Sequence, residues 1–167
     1  MGPQYRSRPT PCTGTARQAY ARKPVSPYIL CAQYHSRDRG PVDDQTCTVD
    51  QLKDQIRCFV QERDWEQFHT PKDLAIGLAI EAAEVLEHFR FQSETEIAAK
   101  LAEEASLKDI GHELADVLYF VLLMCDRFGL DAATTLREKL AISAARYPVA
   151  QARGNNRKYT QLPHKES

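Results

Sequence analysis

The chain has 167 residues, a formal net charge of −1 and 43% hydrophobic residues. This length suits one modest domain with a real core, and the near-neutral charge excludes a global argument for nucleic acid or an anionic membrane. The five cysteines show no C-x-x-C spacing, which indicates free thiols in a reducing compartment. The apolar runs are too short to span a bilayer and the N-terminus lacks a secretory h-region, so we expect a cytoplasmic protein without a membrane span.

Residues 1–47 contain six of the nine prolines and no sustained apolar period, which predicts a disordered N-terminal extension. Residues 1–37 hold six Lys/Arg and no acid. That composition is typical of an organellar transit peptide. An extension without a targeting role, or a start codon assigned too far upstream, would explain it equally well. A nucleic-acid partner would use this basic arm and would show salt-dependent binding, but we expect none.

Five helices are predicted over residues 48–148. Thr48 and Gln51 form a capping box that opens the first, which should fade near residues 65–69. A cap at Thr70 opens the second, which should run to about Arg90.

The remaining helices also begin at capping residues. The fourth helix is apolar over most of its circumference and should lie at the centre. No strand pattern occurs, so the fold class is all-α, a four- to five-helix bundle, and residues 149–167 form a mostly extended tail. The third, fourth and fifth helices begin at Ser93, Ser106 and Asp131, and the last two end at Phe128-Gly129 and near Tyr147.

Two pairs of carboxylates interrupt the apolar stripes of these helices: Glu81 with Glu84, and Glu113 with Asp116. Members of a pair are three residues apart, which places them on one helix face about 5–6 Å apart. A carboxylate on a core-facing stripe is unfavourable unless a cation or a hydrogen-bond network compensates it. Mg²⁺ prefers oxygen ligands and keeps room for phosphates, so we predict a Mg²⁺ site held by all four. The alternative is a helical bundle without a metal, in which these acidic faces form ion pairs with Lys or Arg.

Aromatic residues extend this site. Phe91 and Phe120 should lie about 10 Å and 6 Å beyond the carboxylates of their own helices. A flat ring there is suited to stacking a nucleobase, although core packing is the alternative for both and the better one for Phe120. Trp65 and His69 end the first helix in a mixed aromatic and polar segment.

These segments resemble the all-α MazG-like nucleoside triphosphate pyrophosphohydrolases, and within them the dCTP pyrophosphatase branch. The resemblance covers about residues 48–164. It is carried by ERDWEQFHTPKDLA (62–75), by the Glu81-x-x-Glu84 … Glu113-x-x-Asp116 signature, by KLAISAARYP (139–148) and by RKYTQLPH (157–164).

The resemblance implies that residues 48–148 form a catalytic domain that hydrolyses (deoxy)nucleoside triphosphates to a monophosphate and pyrophosphate. Expected substrates are dCTP or modified pyrimidine triphosphates, as in nucleotide-pool sanitation. The signature positions Glu81, Glu84, Glu113 and Asp116 would hold Mg²⁺. Glu84 or Glu81 would orient the attacking water as general base.

The resemblance also implies a set of substrate contacts. Some residues at or near these contacts differ from the family pattern. Phe91 replaces a Trp of the family, Phe120 replaces a Tyr, and Ile56 replaces a polar residue that contacts the substrate. Asp73 and Ser143 stand where the family has Asn. The implied substrate-binding residues are Trp65, His69, Phe91, Phe120, Lys139 and Arg146.

Members of this family work as homo-oligomers, so we expect a tetramer or a dimer. Two other readings stay open. One is a catalytically impaired nucleotide-binding or scaffold relative, motivated by the departures, and the other is the nucleic-acid partner of the basic arm.

Overall fold

In a computed structural model the protein is described over residues 43–162, and every regular element there is helical. The all-α prediction is confirmed for this part of the chain, which contains no strand. Most of the predicted N-terminal extension, with its basic arm, lies outside the described residues, and the division at 47 and 148 stays a prediction. The α-helices are α1 (Val49–Gln61), α2 (Pro71–Glu87), α3 (Glu94–Ala102), α4 (Glu104–Arg127), α5 (Ala132–Arg146) and α6 (Val149–Ala152), and 3-10 helices cover Glu66–Phe68 and Tyr159–Gln161.

Side-chain caps begin most of these helices where the sequence predicts them. Thr48 Oγ1 accepts from the backbone N–H of Gln51 at 3.2 Å, and Gln51 Oε1 accepts from the Thr48 N–H at 2.7 Å. Ser93 and Glu96 form the same reciprocal pair at α3. These bonds satisfy N–H groups that a first helical turn leaves unpaired. Single caps at Thr70 and Asp131 start α2 and α5.

The start of α4 differs from the prediction. Glu103 alone is extended between α3 and α4, so the chain re-enters a helix at Glu104. Ser106 already lies inside α4, and its hydroxyl donates to the Glu103 carboxylate at 2.7 Å. The prediction that Ser106 caps this helix was therefore wrong. The tail also contains α6 and a 3-10 turn where extended chain was predicted.

The core lies where α2 packs along α4, the most extensive helix contact of the described chain. Helices α1 and α3 pack on other parts of α4, which confirms its central place. Val60, Leu74 and Leu123 form the buried cluster. Leu86 belongs to the apolar period of α2 but is 62% exposed, because no other described segment covers its side of the helix.

Polar contacts fix α1 against the end of α4. The Arg57 guanidinium pairs with Asp54 at 2.6 Å and with Asp126 at 2.5 Å. Hydrogen bonding to Asp126 raises the pKa of Arg57 despite its partial burial. The buried Lys53 ammonium donates to the carbonyl of Leu130 at 2.8 Å. These bonds set the distance between α1 and α4, which both line the cavity described below.

Over residues 43–162, none of the helices combines the length and the apolar character needed to cross a bilayer.

Candidate active site

Three carboxylates from two helices meet where α2 packs against α4. Glu81 and Glu84 lie one turn apart on α2, and Glu113 belongs to α4. One oxygen from each carboxylate lies within 4.8 Å of the other two. The structure therefore brings together three of the four residues predicted as metal ligands.

The acids of this cluster repel one another. Desolvation raises the pKa of Glu81, and the charges of Glu84, Asp116 and Glu113 raise it further. Desolvation also raises the pKa of Glu113, followed by a hydrogen bond with Glu84 and the charges of Glu84 and Asp116, while His88 opposes the shift. The three clustered groups are hard oxygen donors, and a divalent cation between them would remove the repulsion. The residues present thus fit Mg²⁺.

Asp116 lies outside the 4.8 Å group but close to it. Its charge contributes to the raised pKa of Glu81 and of Glu113. It also lines a cavity of the described chain. Asp116 therefore joins the acidic cluster to the cavity.

The cavity has a volume of about 520 Å³ and a largely apolar wall. This volume falls in the range of about 300–1,000 Å³ that is usual for small-molecule sites. An acidic metal-type cluster beside an apolar cavity suits a ligand with a charged end and a flat, uncharged end. The lining residues are Gln55, Ile56, Phe59, Trp65, His69, Asp116, Tyr119 and Phe120.

A series of edge-to-face aromatic contacts builds the wall. The ring centroids of Trp65 and Phe59 are 5.8 Å apart, those of Phe59 and Tyr119 6.3 Å, and those of Tyr119 and Phe120 5.2 Å. The Arg63 guanidinium lies 3.6 Å from the Phe59 ring centroid and donates to the Phe59 carbonyl at 2.9 Å. Each edge-to-face aromatic pair adds about 0.5–1.5 kcal/mol beyond area burial, so the wall has a defined shape.

His69 lines the cavity, and its imidazole has a lowered pKa. Desolvation lowers the pKa of its imidazole, the positive charge of Arg127 lowers it further, and Glu66 opposes both. Its Nδ1 atom is buried without a hydrogen-bond partner among residues 43–162. Arg127 also donates to the Glu66 carbonyl at 3.3 Å, which ties this segment to α4.

Phe91 is not placed as the sequence predicted. The prediction continued α2 to about Arg90, but α2 ends at Glu87 and a turn follows. Phe91 has a φ of 58° and is 97% exposed, with the Arg90 guanidinium 5.5 Å from its ring centroid. The geometric premise was wrong because the helix stops before it reaches this ring. Within one chain Phe91 does not line the cavity.

Lys139 and Arg146 lie exposed on α5 and do not line the cavity. The Arg146 guanidinium is 5.3 Å from the ring centroid of Tyr159. A substrate role for both cations stays a prediction.

Gln55, Phe59 and Tyr119 line the cavity and were not singled out from the sequence. Helical spacing carried a usable signal for each of them. Gln55 and Phe59 are four residues apart beside Ile56 on α1, and Tyr119 follows Asp116 by three residues on α4.

Known proteins resemble this chain over the same region. A family model described as MazG-like matches residues 76–162. Human dCTP pyrophosphatase 1 is 36% identical over 106 residues, which are 64% of this chain and 62% of the human protein. The rat dCTP pyrophosphatase 1 is 35% identical over 105 residues, 63% of this chain and 62% of the rat protein. This chain thus spans less than two thirds of the length of these curated relatives.

A solved structure is also similar to this chain in fold. A crystal structure of a pyrophosphatase from Archaeoglobus fulgidus DSM 4304 superposes with a TM-score of 0.57 and 30% identity, over 65% of this chain and 99% of that one. The resemblance to the dCTP pyrophosphatase branch is confirmed by these similarities. With its matched helices and its paired acids on α2 and α4, the chain belongs to the MazG-like family.

Proposed function

We propose that this protein hydrolyses nucleoside triphosphates between the α and β phosphorus atoms, releasing a monophosphate and pyrophosphate. The observation that carries the proposal is the convergence of Glu81, Glu84 and Glu113 within 4.8 Å, next to an aromatic cavity that Asp116 lines. Oxygen ligands of this kind suit a cation that binds phosphates. The relatives named as pyrophosphatases support the same reaction class.

The proposed ligands of Mg²⁺ are Glu81, Glu84, Glu113 and Asp116. When bound, the cation supplies positive charge for the polyphosphate and lowers the pKa of a coordinated water. Glu84, the exposed member of the α2 pair, or Glu81 would orient the attacking water and accept its proton. The acidic residues would thus hold the cation and move the proton.

The aromatic cavity would take the base. Trp65 offers a ring face, and His69 lines the same cavity. We propose dCTP or a modified pyrimidine triphosphate as substrate, in line with the names of the relatives. Discarding unwanted nucleotides from the precursor pool would be the biological purpose.

A second copy of this chain would complete the site. Leu136, Leu140 and Ile142 on α5 are 60%, 58% and 49% exposed, and α5 packs only sparsely on the other described helices. An isolated helix of this length is marginal in water, so burial against another copy is the natural way to stabilise it. We propose a homodimer or homotetramer, in which Phe91, Lys139 or Arg146 reach a neighbouring cavity. Light scattering would measure the mass.

The reaction is tested with a panel of nucleoside triphosphates. Incubation with Mg²⁺ should release pyrophosphate, and excess EDTA should stop the release. Orthophosphate as the sole phosphate product would reject the proposal.

A nucleotide-binding relative without turnover is the second candidate. It is favoured by the 97% exposure of Phe91 and by Asp73, whose carboxylate accepts from the Thr70 hydroxyl at 2.5 Å in the α2 cap. Neither residue contributes to the cavity of a single chain. Turnover that Glu84→Ala abolishes would rule this candidate out.

We also propose a cytoplasmic location, or an organellar one directed by residues 1–47. Imaging a tagged chain with and without these residues separates the two.

A further inference from the structure

The cavity wall contains one side chain that can form paired hydrogen bonds with the edge of a ring. Gln55 is the lining residue whose planar group carries a donor and an acceptor side by side. Asp116 lies beside the acidic cluster, the Nδ1 atom of His69 is buried, and Tyr119 packs against the buried core. The side chains of Ile56, Phe59, Trp65 and Phe120 carry no carbonyl or amide group.

Gln55 is a half-buried residue, and its side-chain amide makes no hydrogen bond with any residue from 43 to 162. The other glutamines on or near α1 already form hydrogen bonds within the protein. Gln51 accepts in the α1 capping box, Gln61 donates to Glu66, and Gln67 donates to Asp64. The Gln55 amide therefore keeps both its donor and its acceptor available to a ligand in the cavity.

We infer that Gln55 pairs with the edge of the base at the pyrimidine 4-position and its neighbouring ring nitrogen, and that it admits a 4-amino and a 4-oxo base alike. The inference rests on the proposed function, because it places a nucleobase in the cavity.

The tolerance follows from the geometry of the amide. The last torsion of a glutamine side chain is broad and roughly two-fold, so rotation exchanges its donor and its acceptor. A protein that must distinguish the two base types fixes one orientation with a further hydrogen bond. No described residue makes such a bond to Gln55. The amide is therefore free to match either edge, whereas a base without a 4-substituent leaves one of its groups unpaired.

Binding tests this without depending on turnover. The ligands are α,β-methylene triphosphates of deoxycytidine, deoxyuridine and a 2-pyrimidinone deoxynucleoside, titrated by calorimetry with Mg²⁺. The wild type should bind the first two within about threefold of each other and the third about three- to tenfold more weakly. Gln55→Leu should bind all three alike. Gln61→Leu, on the same helix but outside the cavity, should keep the wild-type pattern.

The outcomes distinguish the base contact of Gln55 from the proposed hydrolase activity. If Gln55→Leu keeps the penalty of the 2-pyrimidinone ligand, or if the wild type prefers one natural base by more than about tenfold, the inference is overturned. If the expected pattern appears but natural nucleotides release no pyrophosphate, the proposed hydrolase fails and the base contact stands. Absence of binding by all three ligands overturns both. Circular dichroism of Gln55→Leu and the conservative Gln55→Asn, which keeps an amide, separates misfolding from a lost contact.

Discussion

The ring of Phe120 on α4 occupies the space beside Gly77 on α2 where any other residue would carry its β-carbon. This close approach lets the two helices that carry the acidic pairs lie near each other. It also holds Phe120 in the cavity wall. One glycine thereby connects the packing of α2 on α4 to the shape of the candidate site.

Gly77→Ala should destabilise the protein, because an added methyl group would overlap Phe120 ring atoms and force the ring or the helix to move. Overpacking of this kind lowers the free energy of unfolding by about 1–3 kcal/mol. Gly111→Ala on α4 is the matched control. Nothing lies within 4 Å of its added carbon, so the better helix propensity of alanine should leave stability unchanged or raise it.

Urea unfolding of both variants measures the difference. Adding Phe120→Leu to Gly77→Ala should recover part of the loss, because the smaller side chain can withdraw from the new methyl group. Equal stability of the two alanine variants would show that this contact does not limit the approach of α2 to α4.

The acidic cluster should make stability without a divalent cation depend on pH. Glu81 and Glu113 have raised pKa values in the folded protein, so the folded state binds more protons than the unfolded state between the ordinary and the raised values. The contribution of these two groups to the free energy of unfolding should therefore be greatest below their ordinary pKa values and fall as pH rises through the raised values. Glu81→Gln should flatten this dependence and stabilise the EDTA-treated protein at neutral pH.

Magnesium should reverse the effect in the wild type. At a concentration about 100 times its dissociation constant, a ligand specific for the folded state adds about 2.7 kcal/mol. Thermal unfolding at neutral pH with EDTA or with Mg²⁺ measures the gain. The gain should be lost in Glu81→Gln, and a Mg²⁺ response equal to that of the wild type would place the cation elsewhere.

Local patterns in the sequence account for much of this fold. The caps at Thr48, Thr70 and Ser93 were predictable because each side chain bonds to a backbone N–H three residues away. The pairing of the acids within a helix was predictable for a similar reason, since helical spacing places Glu81 and Glu84 on one face.

What could not be predicted depends on contacts between distant segments. Phe91 leaves the helix because α2 stops at Glu87, which spacing alone does not show. The aromatic wall joins Phe59 of α1 to Tyr119 of α4, and only the packed helices reveal it. The exposure of Leu86 likewise depends on what covers it, and not on its place in an apolar period.

Glu84→Gln should reduce the release of pyrophosphate by at least about 100-fold, because the amide removes a charged ligand and the proton acceptor proposed for the attacking water. Glu104→Gln is the control, since Glu104 is an exposed glutamate at the start of α4, outside the cluster. Initial rates at saturating nucleotide and Mg²⁺ provide the measurement. A Glu84→Gln enzyme within threefold of wild type would assign the base role to another residue.

Arg57→Ala should loosen α1 from α4. The substitution removes the cation that pairs with Asp126, in a site where both side chains are only about a quarter exposed (27% and 24%). Loss of such a partly buried pair lowers the free energy of unfolding by about 1–3 kcal/mol, less than for a fully buried pair. Lys108→Ala, at an exposed position of α4, should change stability little.

The kinetic effect of Arg57→Ala should differ from that of an acidic ligand. The proposed metal ligands lie on α2 and α4, whereas Gln55, Ile56 and Phe59 of α1 form the part of the cavity that Arg57 holds in place. KM should therefore rise by about three- to tenfold while kcat changes little, since misplacement of α1 weakens contact with the base but leaves the acids in register. A fall in kcat at unchanged KM would instead mean that α1 helps to position the acidic cluster, and would contradict the division of the site into a base cavity and a separate acidic end.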